Sequence, residues 1–211
     1  MTANLRKYIG LVLALLLAVL IGVSTKYVSG ADVSLLEKGV KAKVDSLAFA
    51  NEYYDSQIVP YILANAHDLK ELDAAIVADP AAAGAKYGKR DGDNAAYSVA
   101  TKFTATAGEL KGDLLVLEVP GVTTKVYLQV GPALNGTAIR DVSGLVNFGM
   151  FDNQLAYQDA GTKLNDKVRE LVLSTVEKEK LTGKTLNITG AFSLFNPKQY
   201  MIVPVAIEVA N

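Results

Sequence analysis

The chain has no cysteine, no tryptophan and a single histidine among its 211 residues. Without cysteine there is no disulfide framework, so the fold must stand on an apolar core even in an oxidising compartment. The same absence removes a thiol nucleophile and any lipid carried on a cysteine. A lone His67 excludes a histidine-rich metal centre. Charge of one sign is also missing: 21 basic and 22 acidic residues give a formal net charge of −1 and leave no field to draw DNA or RNA. There is no serine elbow and no phosphate-cradling glycine loop. Carboxylates such as Glu109, Glu118, Asp141 and Asp152 could pair in space as glycoside hydrolases require, but nothing in their spacing brings them together. Neither catalysis, nor a cofactor, nor nucleic-acid binding is therefore expected.

What is present begins at the N-terminus. Arg6 and Lys7 precede an uncharged apolar run from Ile9 to Val23. With Tyr8, Ser24 and Thr25 it approaches the roughly 20 residues of a membrane span. The basic side is N-terminal, so the head is expected to stay cytoplasmic while the remainder crosses. We read residues 1–30 as a basic head and an uncleaved signal anchor. The alternative is a cleaved secretory signal, for which Ser29-Gly30-Ala31 is a poor cleavage motif. The expected location is the bacterial inner membrane, single-pass, with the C-terminal part in the periplasm or extracytoplasmic space.

Residues 31–94 read as helical. Leu35, Leu36, Val40, Val44 and Leu47 recur at helical spacing between Val33 and Phe49, and Tyr53, Ile58, Tyr61 and Ile62 continue the pattern. Pro60 is expected to start a new helix or kink the old one. Leu69, Leu72, Ile76 and Val77 share one side of a further helix. Asp79-Pro80 reads as a cap with proline in the first turn, opening a short helix that Gly88 ends. Lys89 to Asn94 is a turn or loop.

From residue 95 the period changes. Tyr97, Val99, Thr101, Phe103 and Ala105 alternate as in a half-buried strand. Gly108 and Lys111-Gly112-Asp113 mark the next turn, Leu114 to Val119 a second strand, Pro120-Gly121 another turn, and Lys125 to Val130 a third strand. Thr137 to Val142 reads as a further short strand. Leu155 to Lys180 is helical, with Leu164, Val168, Leu171, Val172 and Val176 on one side. Leu186 to Phe192 and Tyr200 to Val209 are the last strands. The main order (strand, strand, strand, helix, strand, strand) is that of a five-stranded OB barrel with its helix between strands three and four. The fold class is thus α+β, with residues 95–211 as an OB-like barrel domain. An antiparallel sheet with helices segregated on one face is the alternative.

Several blocks carry a resemblance. They include 54–60, Asp79-Pro80 leading to 84–90, Val130-Gly131-Pro132, 135–141, 148–154, 161–165, Gly183-Lys184, 189–192 and Val203-Pro204-Val205. In this order they resemble an uncharacterised family of bacterial envelope proteins, the predicted periplasmic lipoproteins of domain of unknown function 2291. The resemblance implies an OB-like barrel preceded by helices and a genomic association with sugar ABC transporter systems. It implies no established activity. The chain departs from the family label in lacking a lipobox cysteine, which favours a helical anchor.

Three patches are candidates for binding. Thr137, Arg140 and Asp141 follow the third strand, where a barrel loop could face a ligand. Arginine offers a rigid fork of donors for carboxylate, phosphate or hydroxyl groups, and Asp141 could orient it; the structural alternative is an internal bond that ties the loop down. Asn153 and Gln154, beside Phe151, Tyr157 and Gln158, join amides to aromatic surface as a polyol site would; otherwise Asp152 or Asn153 simply caps a helix. Tyr87 and Arg90 flank a basic loop that could meet lipid headgroups or a partner, or be a solvated turn. No metal ligand set is expected. The favoured function is a membrane-anchored accessory or binding protein, associated with a sugar ABC transporter component or solute-binding protein. The alternatives are a direct binder of a small polar ligand such as a sugar, and an envelope structural module with an apolar face between Val33 and Leu72.

Overall fold

The computed structural model describes residues 44–210. The basic head, the apolar run and most of the helix expected over 33–49 lie outside the described residues. Among the described residues no helix is long and apolar enough to cross a membrane.

Aspartates start three of the helices. Asp45 accepts the amides of Leu47 and Ala48 and opens α1, Ser46–Tyr53. Asp68 does the same for α3, Leu69–Ala78, and Asp79 for α4, Pro80–Tyr87. Each carboxylate satisfies amides that a helix start leaves without partners. Between α1 and α2, Val59–Asn65, the chain takes one π-helical turn, Tyr54–Ile58, in which the Val59 amide reaches back to the Tyr54 carbonyl. Pro60 lies in the first turn of α2, where its missing donor costs least. The widened turn just before it joins α1 to α2 without a break.

The strands are β1, His67–Asp68; β2, Gly88–Lys89; β3, Ser98–Lys111; β4, Leu114–Glu118; β5, Lys125–Gln129; β6, Thr185–Ser193; and β7, Gln199–Val209. One edge of β3 is shared in succession by β2, β1 and β4, while β6 takes the other edge from Ser98 to Thr106. β4 pairs with β5, β5 runs parallel to β7, and β7 pairs with β6. The pairings β3–β4–β5–β7–β6–β3 thus form a closed circuit. The parallel β5–β7 step needs a long connection. Residues 130–198 supply it, carrying α5, Ala138–Asp141, and α6, Gln154–Leu171.

Strand alternation divides the core in two. Val99, Ile188, Phe192 and Ile202 join one cluster with Leu115, Leu128 and the α3 residues Leu69, Leu72 and Ile76. Their chain neighbours Ala100, Ala191 and Val203 face a second cluster with Phe49, Ile58, Ile62, Ile139, Phe151, Leu164 and Val168. Small residues on that second face let the helices lie close to the strands.

The structure corrects the sequence reading at three places. Thr137 to Val142 is not a strand: Ala138–Asp141 is one helical turn, in which the Asp141 amide reaches the Thr137 carbonyl at 3.0 Å. Gly108 is not a turn but lies inside β3, where the register with β4 shifts between Ala107 and Leu110. The helix expected to reach Lys180 ends at Leu171 and gives way to two 3-10 turns, Leu173–Thr175 and Lys178–Lys180. There Ser174 and Thr175 donate to the carbonyls of Glu170 and Val172, competing with a continued helix.

Asp73 ties α3 to the sheet. Its buried carboxylate accepts the Thr123 amide at 2.8 Å, the Thr123 hydroxyl at 3.2 Å and the Tyr200 hydroxyl at 2.8 Å. Burial pushes this carboxyl up, but the hydrogen bonds from Thr124, Thr123 and Tyr200 outweigh it and hold it below its ordinary value. Its stabilising contribution is therefore complete above the unfolded carboxylate value of about 3.9 and lost as pH falls through the lowered folded value. Asp73→Ala should cost about 2–3 kcal/mol at neutral pH, because it strands a buried hydroxyl and an amide. Urea unfolding of variant and parent at pH 7 and pH 3 checks this: the difference between them should shrink at the lower pH.

Candidate functional site

The connection after β5 is folded back by amides. The side chain of Gln129, almost fully buried at the end of β5, accepts the Asn135 amide at 2.7 Å and donates to the Asn135 carbonyl at 3.1 Å. From the other side, Asn165 of α6 donates to the carbonyls of Leu134 and Gly136 at 3.3 and 3.0 Å. Gly136 has a φ of 91°, a conformation that favours glycine.

Past Gly136, the three residues predicted as the first patch share one buried network. Arg140 donates from Nε to Asp141 Oδ1 at 2.6 Å and from Nη2 to Oδ2 at 3.1 Å. Its Nη1 donates to the Tyr157 carbonyl at 3.0 Å, and its guanidinium carbon stands 3.6 Å from the centre of the Tyr157 ring. Thr137 donates to Asp141 Oδ2 at 2.6 Å. The Tyr157 hydroxyl donates to Asp91 at 2.7 Å, and the same Asp91 oxygen accepts the Phe148 amide at 3.0 Å. Burial, the bond to Asp91 and the charge of Asp141 all push the Tyr157 phenol well above its ordinary value. At 6 % and 8 % exposure, Arg140 and Asp141 spend their polar groups on each other and on α6. The arrangement is a clamp that binds α5, α6 and the 91–93 loop together.

Of the second and third patches Tyr157 joins this network, while Asn153, Gln154, Tyr87 and Arg90 make none of these bonds. Asn153 is the N-cap of α6 and accepts the Ala156 amide at 2.9 Å, while Gln154 is the exposed first residue of that helix. Arg90 bonds Asp93 within its own loop and lies 4.6 Å over the Tyr97 ring. Tyr87 packs edge-on to His67 at 4.9 Å and donates to Glu71 at 3.1 Å.

A concavity lies one step away from the clamp, where the 130–137 loop meets the β6–β7 loop. It is a cleft of about 300 Å³ lined by Gln129, Asn135, Gly136, Ala138, Ser193, Phe195, Asn196, Gln199 and Met201. Every lining side chain is uncharged. Phe195 is 74 % exposed and offers an aromatic face, and exposed amides of Asn135, Asn196 and Gln199 surround it. A larger and shallower hollow of about 420 Å³ crosses β3, β6 and β7 and carries both charge signs, in Asp68, Lys102 and Glu208. It lacks an aromatic wall open to solvent, so the smaller cleft is the better site. The first patch adjoins this cleft only through Gly136 and Ala138. Sequence reasoning passed over Gln129, Phe195, Gln199 and Met201. The one signal was a phenylalanine directly before the Asn196-Pro197 turn, where turn chemistry favours polar residues.

Removing Arg140 should leave a buried carboxylate without its cation, so Arg140→Ala is expected to cost about 3–5 kcal/mol. The double variant Arg140→Ala/Asp141→Ala should recover part of that loss, read by urea unfolding as a coupling between the two positions.

Comparisons with known proteins bear on the fold and the family. Among solved structures, the chain is similar to an OB-fold protein from Thermotoga maritima, with a TM-score of 0.65 and 18 % identity. The similarity covers 79 % of this chain and 99 % of that one, and at that identity it concerns the fold. No curated protein sequence matches the chain. The family described as predicted periplasmic lipoprotein (DUF2291) matches residues 14–208, nearly the whole length. The match spans the strand circuit, the clamp and the uncharged cleft, and the chain belongs to this predicted periplasmic lipoprotein family.

Proposed function

We propose that the protein is a non-catalytic, extracytoplasmic binding module, held at the membrane by its N-terminal apolar run, that takes a small neutral polar ligand of the carbohydrate class. The family description favours the extracytoplasmic setting. The observation that carries the ligand class is the cleft beside Phe195. Its walls combine an exposed aromatic ring with the amides of Asn135, Asn196 and Gln199 and hold no charged side chain. An apolar platform with directional donors and acceptors suits a polyol or sugar ring. A charged ligand would find no counter-charge there. The same uncharged lining leaves no acid or base for general acid–base catalysis. The buried Arg140–Asp141 pair gives no exposed patch for an accessory role, which favours direct binding over a purely scaffolding one. Association with a sugar transporter then takes the form of passing ligand to a permease or solute-binding protein.

Full-length protein in phosphatidylcholine nanodiscs, free of sugar-based detergent, should bind at least one member of a panel of mono- and disaccharides by calorimetry. Phe195→Ala should weaken that binding about tenfold, near 1.4 kcal/mol. Because Phe195 is largely exposed, its removal should change stability by less than about 0.5 kcal/mol. No binding across the panel, or binding untouched by Phe195→Ala, would sink the reading.

A further inference from the structure

A second pocket, on the far side of the α5 turn, has the opposite chemistry. It measures about 150 Å³ and is lined by Tyr61, Asn65, His67, Lys86, Tyr87, Gly88, Lys89, Ala100 and Val142. Two lysines and the histidine are among the lining residues, beside two tyrosines and an asparagine, and no acidic residue is. We infer that this pocket binds a small oxyanion, of the phosphoryl class, between Lys86, Lys89 and His67.

The local structure explains how these groups converge. Lys86 lies in the last turn of α4 and Lys89 ends β2, with Gly88 at the corner between them. A Cβ at Gly88 would stand 2.9 Å from both the Gly84 carbonyl oxygen and the Tyr97 Cβ, so only glycine permits the close corner. Lys86 is held in place: its ammonium donates to the Tyr87 hydroxyl at 2.8 Å and lies 4.5 Å from the centre of that ring. Tyr87 is fixed in turn by Glu71, which accepts its hydroxyl proton, and by the edge of His67. The Lys89 stem runs beside Gly144, whose added Cβ would meet Lys89 Cγ at 3.5 Å. Among the described residues Lys89 makes no ion pair, so its charge is uncommitted. The Glu71 carboxylate offsets part of the Lys86 charge through Tyr87, but it is not itself among the lining residues, of which two are lysines and none is acidic. Ammonium groups and neutral donors on several sides of a small hollow are the means by which proteins hold a tetrahedral oxyanion. The source of that group is a free phosphorylated solute or the headgroup of an anionic lipid.

His67 is the only histidine in the chain, so its imidazole NMR signals report this pocket alone. Full-length protein in phosphatidylcholine nanodiscs should show a saturable shift of those signals with inorganic phosphate. Lys86→Gln/Lys89→Gln should weaken the effect about tenfold or more, the loss of at least one charge-assisted hydrogen bond. Lys125→Gln/Lys184→Gln, at exposed sites elsewhere, should leave it unchanged. All variants are checked for an unchanged melting temperature. In phosphatidylglycerol nanodiscs without added phosphate, signals already at the bound position assign the headgroup as the source, and signals at the free position assign a free anion. The absence of a saturable shift overturns the inference, as does an equal response of the two lysine pairs. The sugar cleft plays no part in this readout, so the two proposals stand or fall separately.

Discussion

The antiparallel ladder between β3 and β6 is the constraint from which the rest follows. It runs from Ser98 opposite Ser193 to Thr106 opposite Thr185 without a register shift. Because side chains alternate along a strand, this register puts Val99, Phe103 and Phe192 on one face and Ala100 and Ala191 on the other. A slip of one residue would exchange the two cores. The ladder also closes the circuit of strands, and a closed circuit leaves fewer unpaired strand edges to recruit other chains. That closure matters in a protein with no disulfide to restrain it. Where β6 bends past β7, Gly190 is pressed so close to the Val203 carbonyl that a Cβ would lie 2.3 Å from its oxygen. The register shift there, together with Pro204 beyond the last β5 pairing, lets β7 serve β5 with one half and β6 with the other.

The buried charged side chains serve to hold the fold. Arginine is the residue most expected at a binding site, yet Arg140 is committed to Asp141 and Tyr157. Burying an isolated charge is costly, and a buried pair persists when its hydrogen bonds are complete. Here the carboxylate accepts from both the guanidinium and Thr137. The same logic applies to Asp73, whose carboxylate is consumed by Thr123 and Tyr200. Other polar groups line hollows at the surface, and two of those hollows differ sharply in charge. One is the uncharged cleft of Phe195 and its amides, and the other is the cationic pocket of Lys86, Lys89 and His67. Ala138 of α5 lines the first, and Val142, the residue just past its end, lines the second.

Much of the fold was legible because it rests on local rules. Alternation located β3, turn signals bounded the other long strands, and Asp79-Pro80 and Gly88 bounded α4 at the residues observed. Family blocks and strand order pointed to an OB-like arrangement, in keeping with the solved OB-fold neighbour. The misreadings occur where tertiary contacts override local pattern. Thr137 to Val142 carries β-branched residues, but Asp141 and Arg140 must both turn toward α6, and only a helical turn presents them on that side. Gly108 signals a turn in sequence, whereas its neighbours pair on through it. The candidate site was half visible. Thr137, Arg140 and Asp141 do form one network, as their closeness in sequence suggested. The cleft needed Gln129 together with Phe195 and Gln199, which lie far from it in the chain and come near it through the parallel pairing of β5 with β7. No local signal encodes a parallel pairing across that distance.

The two connections that frame the cleft are not held alike, and this bears on how it would bind. The 130–137 loop is fixed before any ligand arrives, by Gln129 from the sheet and Asn165 from α6. The β6–β7 loop is held mostly by bonds within itself, from the Phe195, Lys198 and Gln199 amides to Ser193 and Asn196, while the Leu194 amide reaches out to the Tyr97 carbonyl at 2.7 Å. Ordering a side chain on binding costs about 0.5–1.5 kcal/mol. That cost falls mainly on Phe195 and Gln199, while the opposite wall is already in place. A ligand would therefore be selected by the fixed amide wall and gripped by the aromatic one. The hydrogen-bonding pattern of the ligand, more than its apolar area, would then decide which molecules enter.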